Sequence, residues 1–503
     1  MSNEWELPRL RASFILQVCC QRKKKHHRGG QDCGIFFDIK FYPYNPAGAS
    51  PIFGAVSKKH VVICRLPPAS DKDPVNCEIL LIIRDGDEDG SNHACCWSRD
   101  PETGHPWILV AGDDARIKVY DVKEGTLIKT LVGHGDGIND LATSPMNPLI
   151  IASAADDTTI RIWSLASAHA QQPCVCLLGG EGHVWDLLSV NFHDSGRYVL
   201  SSGHDQVINL WTVPETSNEH VEVPAVVHYP HFSTSEVHNN LVDCVAFYGD
   251  LILSRACHED SIVLWRIEGF SSDDPPPTAA QAPTTYDPSK KTRSAFGSTL
   301  SPAQPAHFTR LMTFHTAECK TQFFLRFRMF HAPGRHPVLA FCNAKAKTMF
   351  WDLARFTAYN EFMEGLKARQ RSKTAAALPP VEKPAWLPAK KAPAKKPDTA
   401  TTTLRHAAAA AETESPSPDP ENLTSLGGFT QKTLNEWTEM YDTTNSHGLI
   451  KPHKTGSVDG GLFVGRQVGW SPEGDYCIVV GAGNRVLIFQ RWGKDQKAST
   501  PGV

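Results

Sequence analysis

Short apolar runs recur along much of this chain, and within them apolar and polar positions alternate. The run Ile160–Ile162 before Trp163 reads apolar, polar, apolar, and so does the run Ile208–Leu210 before Trp211. A period of two is typical of β-strands, whereas an amphipathic helix repeats about every 3.6 residues. The pattern therefore predicts many short strands joined by tight turns.

The strands are organised as an internal repeat of the WD type, which opens on a Gly-His pair and closes on an aromatic residue. Two copies are plain. One runs from Gly133-His134 to Trp163, and the other runs from Gly182-His183 to Trp211. About thirty residues rich in β-forming runs separate the two ends of each copy. A unit of this kind predicts one small antiparallel sheet per copy.

Each plain copy also places an Asp six residues before its Trp, at Asp157 and Asp205. A short carboxylate suits a tight turn between two strands because it can accept backbone N–H bonds. We expect the His, Asp, Ser and Trp of the repeats to hold sheets together and not to catalyse. Five weaker copies follow the same template, with the end or centre of each marked by Phe53, Tyr120, Trp265 (with Glu259 at the turn), Trp351 and Phe489.

Seven copies predict an all-β fold, a seven-bladed WD40 β-propeller. A single four-stranded blade cannot bury both of its faces, so the blades must stack around an axis and the ring must close. An N-terminal strand commonly completes the last blade, and the apolar run Ala12–Val18 suits that role.

Segments without the repeat divide the chain further. The predicted organisation is an N-terminal segment 1–32, blades one to five at 33–268, a disordered insert 269–305, blade six at 306–356, a long low-complexity insert 357–460, blade seven at 461–492 and a disordered tail 493–503. The first insert is rich in Pro, Ser and Thr. The second is an Ala/Pro/Lys linker between two stretches of helical spacing, around Tyr359–Lys373 and Phe429–Tyr441, of which the latter could dock onto the ring or a partner.

The net charge of the 503 residues is only −3, which excludes bulk electrostatic attraction to nucleic acid as the main driving force. Basic action must be local. The run Gln21–Gly30 is either a solvated tail or a nuclear-localisation or nucleic-acid contact. The linker lysines, Lys383, Lys390, Lys391, Lys395 and Lys396, are either plain linker or a weak DNA contact. No apolar run approaches the ~20 residues of a membrane helix, so we expect no membrane contact.

The N-terminus lacks a secretory pattern, so the 14 cysteines are expected in a reducing compartment. Their pairs lack the spacing of zinc sites, which favours small buried apolar residues over metal ligands. The chain has no phosphate-binding Gly loop, no Gly-x-Ser-x-Gly and no His-Glu-x-x-His motif. We therefore expect neither an enzyme nor a cofactor.

Four strings go beyond a generic propeller: Leu131–Asp140, Gly179–His183, Val242–Val245 and Gly249–Ser254. Together they resemble the embryonic ectoderm development (extra sex combs) family, the WD-repeat subunit of Polycomb repressive complex two. The resemblance covers all seven blades. It implies a non-catalytic nuclear scaffold that binds a SET-domain histone methyltransferase subunit and other Polycomb subunits and supports gene silencing.

The resemblance also implies an aromatic cage that reads a trimethylated lysine on the histone H3 tail. Carried over by position, the cage falls on Phe37, His93, Phe323 and Phe324. Ring faces suit a trimethylammonium because it keeps its charge but cannot donate hydrogen bonds. His93 replaces a Tyr of the family, which predicts weaker binding that falls further below about pH 6.5, the reference pKa of His.

Three polar residues, Asn139, Arg326 and Arg466, match family positions near the channel mouth. They could hydrogen-bond a peptide backbone, or they could instead bond between blades. Core packing is the alternative role for Phe37 and Phe324. A generic WD40 adaptor, such as a ubiquitin-ligase substrate receptor, is the alternative function, and it would tolerate loss of the cage residues.

Overall fold

The computed structural model describes residues 5–16, 34–68, 75–87, 90–297, 306–319, 322–371, 380–388, 424–427, 429–458 and 463–491. The strands of the first half are β1 Arg9–Ile15, β2 Phe36–Phe41, β3 Ile52–Ser57, β4 His60–Arg65, β5 Glu78–Arg84, β6 Asn92–Arg99, β7 Pro106–Gly112, β8 Arg116–Asp121, β9 Thr126–Val132, β10 Ile138–Thr143, β11 Ile150–Ala155, β12 Ile160–Ser164, β13 Cys174–Leu178, β14 Leu187–Phe192, β15 Tyr198–Gly203, β16 Ile208–Thr212 and β17 Ala225–Val227.

The second half contains strands and two α-helices, in the order β18 Phe232–Thr234, β19 Val242–Tyr248, β20 Leu251–Ala256, β21 Ser261–Ile267, β22 Thr292–Ser294, β23 Phe308–His315, β24 Arg328–Phe330, β25 Val338–Cys342, β26 Thr348–Asp352, α1 Ala354–Arg371, β27 Thr424–Leu426, β28 Phe429–Thr430, α2 Gln431–Tyr441, β29 Leu449–Ile450, β30 Lys454–Gly456, β31 Gly465–Trp470, β32 Tyr476–Gly481 and β33 Arg485–Gln490. Short 3₁₀ turns lie at Ser167–His169 and Ala279–Gln281.

Residues up to Leu353 and from Asn445 onward form one compact unit, a seven-bladed propeller. The blades are, in order, β2-β3-β4-β5, β6-β7-β8-β9, β10-β11-β12-β13, β14-β15-β16-β18, β19-β20-β21-β23, β24-β25-β26-β30 and β31-β32-β33-β1. The first strand of each blade contacts the first strand of the next, and β31 returns to β2. Apolar side chains fill the spaces between neighbouring blades. The predicted all-β propeller with seven blades is confirmed.

The N-terminal strand β1 completes the last blade, where Arg9 pairs with Gln490 and Ile15 pairs with Arg485. The strand begins earlier than the predicted run 12–18, and residues 17 and 18 lie outside the described residues, as do the basic run 21–30 and the tail 493–503. By pairing with β33, β1 covers an edge of that strand that would otherwise expose unpaired backbone groups.

Blades three, four and five each contain a hydrogen-bonded chain of Trp, Ser, His and an acid. In blade four the Trp211 indole N–H donates to Ser201 Oγ (2.8 Å), which bonds His183 Nε2 (2.8 Å), and His183 Nδ1 bonds Asp205 (2.9 Å). The Asp205 carboxylate also accepts the backbone N–H of Val184. The equivalent residues are Trp163, Ser153, His134 and Asp157 in blade three, and Trp265, Ser254, His238 and Glu259 in blade five. These residues join strands within their blades, as their spacing predicts.

The prediction of a disordered insert at 269–305 is wrong for part of its length. Strand β22 pairs with β18 and adds a fifth strand to blade four. Thr292 Oγ1 bonds Thr234 Oγ1 across the two strands (2.7 Å), and the Phe296 ring packs on Phe270. A Pro-rich composition therefore does not prevent the segment from using a free sheet edge. Residues 298–305 lie outside the described residues.

Two predicted blade boundaries also need correction. Strand β23 lies in the predicted blade six, but it pairs with β21 as the outer strand of blade five. Strand β30 lies in the predicted insert 357–460, but it pairs with β26 and completes blade six. The outer strand of a blade pairs along one edge, so its alternation of apolar and polar residues is weaker than that of the inner strands. The repeat pattern therefore does not show to which blade β23 and β30 belong.

Residues 354–444 form a second compact unit. Helices α1 and α2 lie where the helical spacing predicts them, and inside this unit the Trp437 ring packs against Phe362 and Phe429. The Trp437 indole N–H donates to the carbonyl of Pro388 (2.7 Å). Of the five linker lysines, Lys383 is described and its ammonium donates to the carbonyl of Pro384, while the other four lie outside the described residues.

Neither of the two α-helices in the described part of the chain is long and apolar enough to cross a bilayer. Of the cysteines in the described ranges, all but the half-buried Cys77 are buried, as their apolar reading predicts. No group of three or more His, Cys, Asp or Glu side chains in those ranges is arranged to hold a metal ion.

Candidate functional site

The innermost strands of six blades share a β-bulge near their first residue. In β2, β6, β10, β14, β19 and β31 the pairing with the next strand skips one residue near the strand's start. The six skipped residues, named here the rim positions, are Phe37, His93, Asn139, Leu188, Asp243 and Arg466. In blade six, β24 begins only at Arg328, and its pairing with Ala340 puts Arg326 level with Asp140 and Cys244, one residue beyond the rim positions. A skipped residue re-aims its side chain, and such bulges are frequent beside functional sites. Because all seven inner strands run in the same direction around the ring, the rim positions lie at one mouth of the central channel.

Four of the seven predicted site residues, Phe37, His93, Asn139 and Arg466, are rim positions, and the structure brings two of them into ring contact. The centroids of the Phe37 and His93 rings lie 5.0 Å apart in an edge-to-face arrangement. Both nitrogens of His93 are engaged, since Nε2 bonds Ser91 Oγ (3.0 Å) and Nδ1 lies 3.3 Å from the Asp113 carboxylate. The imidazole edges are therefore occupied, and its faces remain for other contacts.

The other two predicted cage residues, Phe323 and Phe324, lie in the irregular segment that precedes β24. Their ring centroids lie 6.1 Å apart, again edge to face. The Phe323 ring is 48% exposed, and the Phe324 ring is half-buried. The guanidinium of Arg326 lies over the Phe324 ring, 4.5 Å from its centroid. One face of Phe324 thus already contacts a cation.

The polar site residues bond mainly to other blades. Arg326 pairs with Asp140 (2.9 Å) and donates to the carbonyls of Asn139 and Leu188. The Asn139 amide donates to Asp156 (2.5 Å) and to the carbonyl of Leu187 in the next blade. These contacts match the inter-blade role that the sequence left open for Asn139 and Arg326.

Arg466 supports the aromatic segment directly. Its guanidinium donates to the carbonyl of Phe323 (2.7 Å), and its own carbonyl accepts the N–H of Arg326 (2.9 Å). Blade seven therefore fastens the chain on both sides of Phe324.

Buried charges continue from the rim into the channel. Asp38 lies next to Lys40, and the Lys40 ammonium also lies 3.7 Å from Asp140. Burial alone raises the pKa of the Asp38 carboxyl, but the positive charges of Lys40 and Arg326 outweigh burial and lower that pKa to about 2. Because Asp140 pairs with Arg326, the charges of the channel compensate one another at neutral pH.

The environment of His93 favours its neutral form. Burial lowers the pKa of the imidazole, and the charges of Lys58 and Arg326 lower it further, while Asp113 opposes them. The effect of Arg326 shows that the Phe37–His93 pair and the Phe324–Arg326 pair lie within electrostatic reach of each other. No ring contact between the two pairs is found among the described aromatic residues.

The rim continues outward as a row of rings beside several carboxylates. The Trp185 indole, 58% exposed, contacts His204, and His204 contacts Phe323. Burial raises the pKa of the nearby Asp156 to about 6, and the charges of Asp186 and Asp136 also act to raise it. This side of the channel mouth thus combines apolar rings with negative charge.

Two rim positions, Leu188 and Asp243, are absent from the predicted site. Asp243 is fully buried and accepts the backbone N–H groups of Phe324 (2.8 Å) and Leu325 (3.3 Å). Aligning the start of each inner strand would have found both residues, because the string Val242–Val245 occupies the same place in its blade as Asn92–Cys95 does in blade two.

Comparisons with known proteins agree with the fold and with the resemblance. The model of the WD domain, G-beta repeat, matches residues 125–164 and 173–212. The Polycomb protein EED of Chaetomium thermophilum is 55% identical to this chain over 100% of the chain and 99% of the relative. The Polycomb protein esc of Drosophila melanogaster is 30% identical over 48% of the chain and 57% of the relative.

Solved structures give the same result. A chain of the Chaetomium thermophilum polycomb repressive complex 2 is 58% identical, with a TM-score of 0.84 and coverage of 97% of this chain and 99% of that one. A chain from ctPRC2 in complex with H3K27me3 and H3K27M is 56% identical, with a TM-score of 0.84 and coverage of 98% and 99%. The match to the Chaetomium thermophilum relative covers the full chain at 55% identity, and the chain therefore belongs to the EED family of Polycomb proteins.

Proposed function

We propose that this chain is a non-catalytic scaffold and methyl-lysine reader in a Polycomb-type histone H3 lysine methyltransferase complex. Its partners are a SET-domain methyltransferase subunit and other Polycomb subunits, its ligand is an H3 tail carrying a trimethyl-lysine, and it acts in the nucleus in gene silencing. Membership of the EED family supports the scaffold role. A related chain belongs to a complex solved with H3K27me3.

One observation carries the reader role: Phe37, His93 and the Phe323–Phe324 segment all lie at one mouth of the channel. Ring faces can solvate a trimethylammonium, which keeps its charge but cannot donate hydrogen bonds. A neutral His93 adds a further ring. Its nitrogens contact Ser91 and Asp113 at the ring edge, so the faces of the ring stay available to the ligand. The carboxylates Asp156 and Asp186 beside the rings suit a basic histone tail.

The roles of the rings also differ within the cage. Arg326 covers one face of Phe324, so a ligand cation must approach the other face. The Arg326 charge is balanced by Asp140 at 2.9 Å, which limits its repulsion of a second cation. We therefore expect Phe324 to contribute more through apolar contact and less through cation–π attraction than an isolated ring does.

The direct test is titration of the full chain with H3 tail peptides that differ only in methylation. We expect the trimethylated peptide to bind more tightly than the unmethylated one, and Phe324→Ala to lower its affinity by roughly tenfold, the usual effect of removing one good ring contact. Phe308→Ala, in the outer strand of blade five, is the matched control. Equal affinity for both peptides would refute the reader role.

The scaffold role needs a separate measurement. Purification of the tagged chain should recover a SET-domain methyltransferase, and Phe324→Ala should not change that recovery, because the substitution removes one ring at the channel mouth and leaves the blades intact. Failure to recover a methyltransferase would refute the scaffold role and leave the peptide result standing on its own.

A further inference from the structure

The backbone of Phe324 has an uncommon conformation. Its φ angle is +62°, in the left-handed region that residues with a side chain rarely adopt. The residue belongs to the segment 322–327, which lies between strands and is not held by a sheet ladder. Some other contact must therefore keep this conformation, and with it the position of the Phe324 ring.

A buried ion pair of blade five supplies that contact. Asp243 and Arg255 are both fully buried, and the Arg255 guanidinium lies 2.5 Å from Asp243 Oδ2. The same Oδ2 atom accepts the backbone N–H groups of Phe324 (2.8 Å) and Leu325 (3.3 Å). The carboxylate therefore binds both amides that flank the left-handed turn.

Arg255 binds the carbonyl side of the same segment. Its guanidinium donates to the carbonyl of Leu325 (3.3 Å) and to the carbonyl of Gln322 (3.5 Å). One ion pair thus engages donors and acceptors on both sides of Phe324. Bonds to charged groups are stronger than bonds between neutral ones, and they gain strength in a site without water.

The pair contributes more than blade five needs. Strands β19 and β20, which contain the two residues, are already joined by a backbone ladder. The Asp243 and Arg255 side chains instead cross to a segment of blade six. Burying a charge costs free energy unless its partners are well placed. The bonds that the Asp243–Arg255 pair makes to segment 322–327 offset that cost, which indicates that the pair serves to hold this segment.

We propose that Asp243 and Arg255 are positioning residues of the methyl-lysine site: the buried pair fixes the left-handed turn at Phe324 and so holds its ring at the channel mouth. The proposal rests on the proposed function for its ligand, but not for its geometry. The two residues do not touch the ligand and act through Phe324.

The first experiment measures affinity in the full chain. Asp243→Asn should lower affinity for the trimethylated H3 peptide by roughly tenfold, because it breaks a buried pair and frees the turn. Arg255→Lys keeps the charge but cannot reach both carbonyls, so it should give a smaller loss. Glu259→Gln is the matched control, since Glu259 also bonds a basic side chain and a backbone N–H in blade five but lies outside segment 322–327.

A double-mutant cycle separates positioning from general destabilisation. If Asp243 acts through the Phe324 ring, Asp243→Asn should cause no further loss of affinity once Phe324→Ala is present. Losses that add, or a loss equal to that of Glu259→Gln, would overturn the proposal. Arg255→Lys provides the same cycle if Asp243→Asn does not fold.

A second readout does not depend on ligand binding. With 4-fluorophenylalanine at position 324, the ¹⁹F resonance should shift or broaden in Asp243→Asn and stay unchanged in Glu259→Gln. An unchanged resonance in Asp243→Asn would refute the positioning role. A shifted resonance in a chain that does not prefer the trimethylated peptide would refute the proposed function and leave the positioning role intact.

Discussion

His183 in blade four and His93 at the channel mouth make the same two hydrogen bonds. Each uses Nε2 for a serine hydroxyl and Nδ1 for an aspartate. The difference lies in what surrounds them. The His183 side chain is fully buried and its serine also binds Trp211, whereas His93 is 20% exposed and its partner Asp113 is 59% exposed.

The comparison teaches that the hydrogen bonds of a residue do not by themselves define its role. In blade four the bonds satisfy groups that have no water, so losing one leaves an unpaired buried partner. At the rim, solvent screens the bond between His93 and Asp113, and that bond contributes little to stability. It orients the imidazole beside Phe37, while burial and the charges of Lys58 and Arg326 favour the neutral ring.

The largest expected effect concerns the buried side of the comparison. Trp211→Ala removes a fully buried indole and leaves the Ser201 hydroxyl short of a partner, which should cost about 3–5 kcal/mol of stability. Urea denaturation measures the loss. Trp185→Ala is the control, because this exposed indole should contribute about 0.5 kcal/mol or less. Equal losses for the two tryptophans would contradict the distinction.

The next largest effect is the loss of stability in acid, which should come from the buried His–acid pairs of the blades. Burial lowers the pKa of His134, although Asp157 opposes it, and burial would raise the pKa of Asp205 but His183 lowers it. A lowered His pKa stabilises the fold above the unfolded value of about 6.5, and that contribution is lost as pH falls below it. A lowered Asp pKa adds a loss at still lower pH. Thermal unfolding between pH 8 and pH 4 should therefore show a falling midpoint, and His134→Gln should flatten the upper part of that fall.

Binding should respond to pH over a narrower range. Burial lowers the pKa of His93 and keeps the ring neutral at its ordinary value of about 6.5, so affinity for the trimethylated peptide should still be flat at pH 6.5 and fall by a few-fold only in more acidic solution. The structure thus moves the expected onset below the value that the sequence predicts. Titrations at pH 7.5 and pH 5.5 measure this, and an affinity that rises in acid would contradict it.

The smallest expected effect is a gain. His93→Tyr supplies a ring with a stronger negative face and no titration near neutral pH, so affinity should increase roughly two- to fivefold. The same variant should lose the decline below pH 6.5. Ser91→Ala is the control, since it frees the Nε2 atom of His93 without changing the ring.

The sequence predicts the regular parts of this molecule well. The turn acids Asp157 and Asp205 mark their blades because the two turns need a short carboxylate at that position. Outer strands such as β22 and β30 escape the template because one edge has no partner within the repeat, and their pairing is decided by which edge is free in three dimensions.

The resemblance predicts which residues form the candidate site, but the sequence does not indicate which contacts hold Phe324 in position. The resemblance names Phe324, yet nothing local in its sequence indicates a positive φ angle, because the left-handed turn is imposed by Asp243 and Arg255 from another blade. The rim positions carry different residue types, so no composition signal unites them. Their common feature is a skipped residue in the pairing, which appears only when the strands are aligned.

Closure by strand β1 has a consequence for how the molecule forms. Arg9 pairs with Gln490, so β1 can pair only after the whole stretch of chain between these two residues has been synthesised. The entropic cost of bringing two distant strands together rises only slowly with the length of chain between them, so the large separation adds little to the free energy of closing the ring. Kinetically, however, the apolar side chains of β1 lack their partner strand until β33 has been synthesised. The ring therefore matures after most of its blades, and stalled or truncated chains expose an edge that can pair with another molecule.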